Sequence, residues 1–300
     1  MFAQEIIWQS TSYEIITILE KGAFVVSKKV LISGAWGKMG QQVVKSVVRE
    51  TDNQLVGAFD KVKTDLDIIE ELGLEGEECL VYGDLNRAIK ETNPEVIIDF
   101  TSPAVVMDNI EIGLKNQVDM IVGTTGITDA DKENIRKWSS ENDCCCFIVP
   151  NFALGAVLMM DFAARAAKYL PDVEIIELHH DQKIDAPSGT SLKTAEVIND
   201  VLREETGSPT EKQTKQESEE EYIEKLSGVR GGQKEEVNIH SVRLPGLVAH
   251  QEVIFGAEGQ TLTLRHDSYD RTSFMPGVKM ALEAIDGLQG VVYGLEKIMD

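Results

Sequence analysis

Basic residues are scarce: 29 Lys and Arg stand against 51 Asp and Glu, for a formal net charge of −22. A field of that sign excludes nucleic-acid binding through a general basic surface. It also repels small anions, so a site for one must bring its own cations. Cysteine is scarce too. The four are Cys79 and the run Cys144-Cys145-Cys146, with no C-x-x-C spacing. That is a poor metal site and a poor disulfide framework, and we expect no metal. We expect buried, reduced thiols on a short apolar strand, Cys145-Cys146-Phe147-Ile148-Val149. Such thiols suit the cytoplasm or another reducing compartment such as a plastid. No apolar run reaches membrane-spanning length, and no secretory signal pattern is evident at the start, so no membrane partner is expected.

What remains is an ordinary globular composition, 42% apolar and 27% charged over 300 residues, enough for one large domain or two of common size. Residues 1–28 show no link to the rest of the chain. We expect an N-terminal extension with little fixed structure, an expectation that fails if Trp8 and Ile15 to Leu19 pack into a core. From Lys29 the pattern alternates. Strands read at Lys29–Gly34, Gln54–Phe59, Val96–Phe100 and Asp119–Gly123. Helices read at Gln41–Arg49, Ala104–Asn116 and Asp129–Ser140, and 65–76 reads as an acidic loop with one helical turn. Such alternation predicts an α/β fold opening with a Rossmann-type parallel sheet. After Pro150-Asn151-Phe152 the texture changes. A helix over Gly155–Tyr169 precedes a strand, Glu174–Leu178, then a helix, Thr194–Leu202, and an acidic tract near 204–221. Strand-like runs come next at 237–242, 251–255 and 260–265, separated by short turns such as Ala257-Glu258-Gly259. They predict a C-terminal α+β domain with an open mixed sheet. A last helix, Pro276–Asp286, is expected to return to the first sheet. The division expected is 29–150 with 271–300 for a dinucleotide, and 151–270 for substrate binding and oligomerisation.

The stretch Gly34-Ala35-Trp36-Gly37-Lys38-Met39-Gly40 comes directly after the first strand and opens a helix. Its G-x-x-G-x-x-G spacing is a variant of the dinucleotide fingerprint, in which glycines allow a tight turn and close approach to pyrophosphate. A glycine loop alone is equally plain turn chemistry. Asp60, at the end of the second strand, strengthens the reading because an acid there can accept from ribose hydroxyls. Asp60 favours NADH, whereas Lys38 and Lys61 can pair with the 2′-phosphate of NADPH. Two further strand ends, Asp99-Phe100-Thr101 and Gly123-Thr124-Thr125-Gly126, lie where ligands collect in such sheets.

The chain is organised around Glu177-Leu178-His179-His180-Asp181-Gln182-Lys183-Ile184-Asp185-Ala186-Pro187-Ser188-Gly189-Thr190. It joins a strand to a helix, so backbone N–H groups near Ser188 to Thr190 favour a carboxylate or phosphate. Lys183 adds a full charge for the same anion. His179 and His180 face opposite ways on an extended backbone, so at most one meets the chemistry directly. A His-His pair is often a surface feature, and Ser-Gly-Thr alone is a helix cap. Their convergence on one loop, behind a nucleotide signature, favours function.

Together these motifs, with His179-His180-x-x-Lys183-x-Asp185-Ala186-Pro187-Ser188-Gly189-Thr190 the most specific, closely resemble the dihydrodipicolinate reductase family from about Val30 to the C-terminus. The resemblance implies NADPH- or NADH-dependent reduction of 4-hydroxy-tetrahydrodipicolinate, a small dicarboxylate, with loss of water, in lysine and diaminopimelate biosynthesis. It implies His179 as acid/base and Lys183 as proton donor. His180, Lys183, Ser188, Gly189 and Thr190 are implied to hold the substrate. Gly34, Gly37, Lys38, Met39, Asp60, Gly123, Thr125, Asn151, Phe152, Arg271 and Phe274 are implied to line the cofactor, and the assembly is implied to be a homotetramer. The chain departs from the family in Lys38, where many relatives carry Arg, in the shorter Asp60, and in Gln251 after His250. Rival readings are another two-domain nicotinamide oxidoreductase acting on a sugar or aldehyde, and a nucleotide-sensing module without chemistry. A thiol-dependent aldehyde enzyme needs a reactive cysteine, which a buried strand does not offer.

Overall fold

The computed structural model describes residues 27–206 and 223–299, the side chains of residues 205 and 206 excepted. Trp8, Ile15 to Leu19 and most of the acidic tract near 204–221 lie outside them. The first half runs β1 (Lys29–Ser33), α1 (Gly40–Glu50), β2 (Gln54–Phe59), α2 (Ile68–Glu71), β3 (Val81–Tyr82) and α3 (Leu85–Thr92). It continues with β4 (Val96–Asp99), α4 (Val106–Lys115), β5 (Asp119–Val122), α5 (Asp129–Asn142) and β6 (Cys146–Ile148). These strands are apolar on both faces because helices cover both. Val30, Ile32, Val96, Ile98 and Phe147 join one buried cluster, while Leu31, Ile97, Met120, Cys146 and Ile148 join the other. The cysteine run obeys the same alternation, Cys145 facing one layer and Cys144 and Cys146 the other. All four cysteines are free and buried. Burial pushes the thiols of Cys79 and Cys145 up to about 12 and that of Cys144 to about 11.

The second half runs α6 (Leu154–Ala167), β7 (Asp172–His179), α7 (Gly189–Thr206), β8 (Gly232–Lys234), β9 (Val237–Arg243), β10 (Ala249–Ala257), β11 (Gln260–Ser268), α8 (Met275–Ala284) and β12 (Val291–Tyr293). The second sheet has the order β11-β10-β7-β9-β8. It is mixed, as expected: β7 pairs β9 in parallel and β10 antiparallel. Along β7, Val173, Ile175 and Glu177 are buried and Glu174, Ile176 and Leu178 half-buried, the period of a sheet with one covered face. Helices α6 and α7 supply that cover through Met159, Ala163, Ala195 and Ile198.

The chain then returns to the first sheet. Met275, Val278 and Leu282 of α8 pack with Val43, Val44 and Val47 of α1, and Lys279 pairs with Glu50 at 2.8 Å. The short strand β12 adds in parallel to β6, giving the order β12-β6-β5-β4-β1-β2-β3, parallel throughout. The connections across residues 149–153 and 269–274 therefore join the two sheets, and the cleft lies beside them.

Candidate active site

The glycine loop is shaped by close approach. A Cβ on Gly34, whose φ is +80°, would sit 2.5 Å from the Phe100 carbonyl oxygen, and one on Gly40 would sit 2.1 Å from the Gly34 oxygen. No other residue fits where strand, loop and helix meet so closely. The carboxylate of Asp60 accepts from the backbone N–H of Trp36 at 2.9 Å and of Val62 at 3.2 Å. Gly34, Gly37, Asp60, Lys61, Phe100 and Thr101 line a groove of about 460 Å³.

Beneath the groove lies Asp99, with no solvent exposure. Ser33 Oγ, Thr101 Oγ1 and Thr124 Oγ1 each donate to it at 2.7 Å, Asn109 Nδ2 at 2.9 Å and Thr101 N at 3.1 Å. A buried carboxylate requires such partners. This cage binds the ends of β1, β4 and β5 together, and so fixes the glycine loop against the Gly123–Gly126 turn.

A larger cavity of about 740 Å³ opens beside it. His179, Lys183, Ser188, Gly189 and Thr190 line one side, and Thr125, Tyr293 and Glu296 come from the first-sheet side. The first-sheet half and the His/Lys loop thus share one space. Helix α7 starts at Gly189, five residues before the Thr194 read from the sequence: Ser188 Oγ accepts from Ser191 N at 3.1 Å and the Ser188 carbonyl from Leu192 N at 3.0 Å. Ser188 is the N-cap, so the N–H groups of Gly189 and Thr190 are those left for an anion. The Ala186–Pro187 peptide just before them is cis.

Lys183 Nζ donates to both oxygens of Asp185 at 2.8 Å, and this pairing holds the Asp185 carboxyl below its usual range. His179 ends β7 with Nδ1 hydrogen-bonded to Glu177, which has no solvent exposure. Arg243 grips Glu177 from β9, Nη1 to Oε2 at 2.9 Å and Nη2 to Oε1 at 2.7 Å. Burial opposes the charge on Glu177, but hydrogen bonds from His179, Arg243 and Ser241 outweigh it and hold the carboxyl at about 2. Arg243 Nε is buried without a hydrogen-bond partner.

The remaining sequence-predicted residues divide. Asn151 lines the cavity, and its Oδ1 accepts from Ala153 N at 2.9 Å, fixing the chain where it leaves β6. Phe274 lines an adjoining pocket of about 220 Å³ with His179, Ser188, His250 and His266. Phe152 is buried, its ring 5.4 Å from that of Phe100, and Gly123 packs under the Phe100 ring. Lys38 is exposed and Met39 half-buried at the start of α1. Arg271 opens a short turn and is not among the residues lining these cavities. His180 is not among them either, and its Nδ1 is buried without a partner. Glu177 was missed as the partner of His179, although strand alternation sets both on one face. Arg243 and the hold of Asp185 on Lys183 were missed, Arg243 because only the β7–β9 register sets it opposite His179.

A glycine-lined groove at the carboxyl ends of a doubly covered parallel sheet, facing a His/Lys loop on a second sheet, defines a nicotinamide-dependent oxidoreductase. Comparison narrows the class to a particular family. Residues 28–152 match the family model "Dihydrodipicolinate reductase, N-terminus" and residues 155–299 the model "Dihydrodipicolinate reductase, C-terminus". The chain belongs to the dihydrodipicolinate reductase family. It is 48% identical over 273 residues to 4-hydroxy-tetrahydrodipicolinate reductase of Halalkalibacterium halodurans, covering 91% of this chain and 99% of that one. The dipicolinate-bound dihydrodipicolinate reductase of Paenisporosarcina sp. TG-14 superposes with a TM-score of 0.76 at 43% identity, covering 91% of this chain and 100% of that one. A scyllo-inositol dehydrogenase from Lactobacillus casei shares the fold at a TM-score of 0.53 and 13% identity, covering 91% and 93% of the two chains.

Proposed function

We propose that the chain catalyses the NAD(P)H-dependent reduction of 4-hydroxy-tetrahydrodipicolinate to tetrahydrodipicolinate, with loss of water, in lysine and diaminopimelate biosynthesis. The observation that carries this is the shared cavity, in which His179, Lys183 and the Gly189 and Thr190 N–H groups face Thr125. In a chain of net charge −22, a dicarboxylate needs local positive partners, and the ammonium and helix N-terminus supply them. Asp185 occupies Lys183 until a substrate carboxylate takes its place. Ser188 completes the substrate's contacts in this reading, and His180, outside the open cavity, is assigned to them once the cleft closes.

The Gly34–Asp60 groove fits a dinucleotide: Gly34 and Gly37 let backbone approach the pyrophosphate, and Asp60 meets a ribose hydroxyl. Lys38 and Lys61 admit a 2′-phosphate, so both NADH and NADPH serve. Met39, Gly123, Thr125, Asn151, Phe152 and Phe274 are assigned to the rest of that path, and Arg271, outside the open cavities, joins it when the cleft closes. Bound there, the cofactor supplies a hydride to the ring. Lys183 gives a proton to the reduced π-system, His179 handles the second proton exchange, and closure of the cleft excludes water. Residues 29–150 with 271–300 form the dinucleotide half and 151–270 the substrate half, with hinges near Pro150 to Ala153 and Ser268 to Arg271.

The uncovered face of the second sheet carries half-buried Ile176, Leu178, Val242 and Ile254, and we assign it to a homotetramer interface. The buried free thiols suit a reducing compartment, the cytoplasm or a plastid. NAD(P)H absorbance, followed with substrate generated by the preceding synthase, tests the activity. Substrate-dependent oxidation is expected. Turnover with a sugar or aldehyde alone would favour a different oxidoreductase, and nucleotide binding without turnover would leave a sensor.

A further inference from the structure

Glu177 is a buried carboxylate to which the proton-transfer reading gives no task. It lies two residues before His179 on β7, so both side chains leave the same face. Its Oε2 is shared by His179 Nδ1 and Arg243 Nη1, while Oε1 takes Arg243 Nη2. Arg243 stands opposite His179 in the parallel β7–β9 register. Its Nη2 also donates at 2.9 Å to the carbonyl of Asp185, two residues beyond Lys183. The positions beside Glu177 on the neighbouring strands are Ser241 on β9 and Gln251 on β10, both neutral.

We propose that Glu177 and Arg243 form a positioning pair. They hold His179 with Nδ1 toward the protein and Nε2 toward the cleft, and they brace the loop that carries Lys183. The inference rests on reading His179 and Lys183 as the groups that handle the protons. A carboxylate against Nδ1 selects one tautomer and one ring orientation. Alone, that carboxylate would be costly to bury; the planar fork of Arg243 compensates its charge and fixes its plane. Because one guanidinium touches both Glu177 and the Asp185 carbonyl, the two proton-handling groups share a single anchor. Glutamine cannot replace Glu177 here. Its amide group would face either Arg243 Nη2, donor against donor, or His179 Nδ1, which imposes the opposite tautomer.

A double-mutant cycle on kcat tests this, with Glu177→Gln, His179→Gln and the two combined, each also measured for NADPH affinity and thermal unfolding. Glu177→Gln is expected to lower kcat by about 10²-fold with NADPH affinity unchanged. In the His179→Gln background the same change should cost less than about threefold, because its effect runs through His179. An equal factor in both backgrounds overturns the proposal and leaves Glu177 a purely structural residue. Full activity of His179→Gln alone overturns the underlying reading instead. Should Glu177→Gln not fold, Arg243→Lys takes its place in the cycle. It keeps a buried cation but loses the fork; strong coupling to His179 is again expected, and independent factors again overturn the proposal.

Discussion

Asp99 and Glu177 are both carboxylates without solvent exposure, and the protein holds them in opposite ways. Asp99 is caged by hydroxyls, an amide and a backbone N–H. Glu177 is gripped by a guanidinium and an imidazole. The donors to Asp99 come from the ends of β1 and β4, from α4 and from the turn after β5, so the cage fixes where loops stand. Of the partners of Glu177, His179 and Arg243 are themselves ionisable, and His179 lines the cleft. In the proposed function, geometry for a cofactor is thus set by neutral hydrogen bonds, and geometry for proton transfer by charge.

The contrast can be broken or sharpened by experiment. Lys183→Ala should lower kcat by about 10³-fold while NADPH affinity stays within about twofold, read by steady-state kinetics and fluorescence titration. A comparable loss of cofactor affinity would merge the two regions that the comparison separates. Asp99→Ala leaves its donors facing no acceptor, and should cost about 3–5 kcal/mol in urea unfolding. A cost below about 1 kcal/mol would mean the cage matters little.

Acid should test the charged hold on Glu177. The folded Glu177 carboxyl sits at about 2 against an ordinary 4.5, a depressed value. Its stabilisation is therefore fully present above 4.5 and is lost as pH falls toward 2, ~3 kcal/mol in all. Wild type should lose that much more than Glu177→Gln across the window, measured by denaturant unfolding at stepped pH. Parallel curves would deny the depression. The smallest effect concerns the thiols. With Cys79 and Cys145 pushed up to about 12, iodoacetamide at neutral pH should leave activity intact and label the chain only after unfolding.

Much of this was legible in the sequence because it is locally encoded. The apolar runs of β1, β4 and β5, the glycine loop and the strand-to-helix turn at Ser188 each carry their signal within a dozen residues. What escaped was short or distant. Strand β3 has two residues and β12 three, too few to show a period, and β12 reaches β6 from 145 positions away in register. Helix α3 was passed over although Asp84 caps it, its Oδ1 accepting from Arg87 N at 2.7 Å. Arg243 carries no local mark; parallel pairing alone brings it beside Glu177. Asp185 stood in the motif, yet its hold on Lys183 depends on how the loop folds back. Local pattern gave the frame and most of the candidate site, and tertiary register supplied the charges that orient it.

The most direct test pairs two variants, Asp99→Asn and Glu177→Gln, in one measurement of NADPH dissociation constant and single-turnover oxidation rate. Asp99→Asn should weaken NADPH binding and leave the saturated rate near wild type, while Glu177→Gln should slow the rate and leave binding intact. If both variants lose affinity and rate together, the division between a neutral frame and a charged one is wrong.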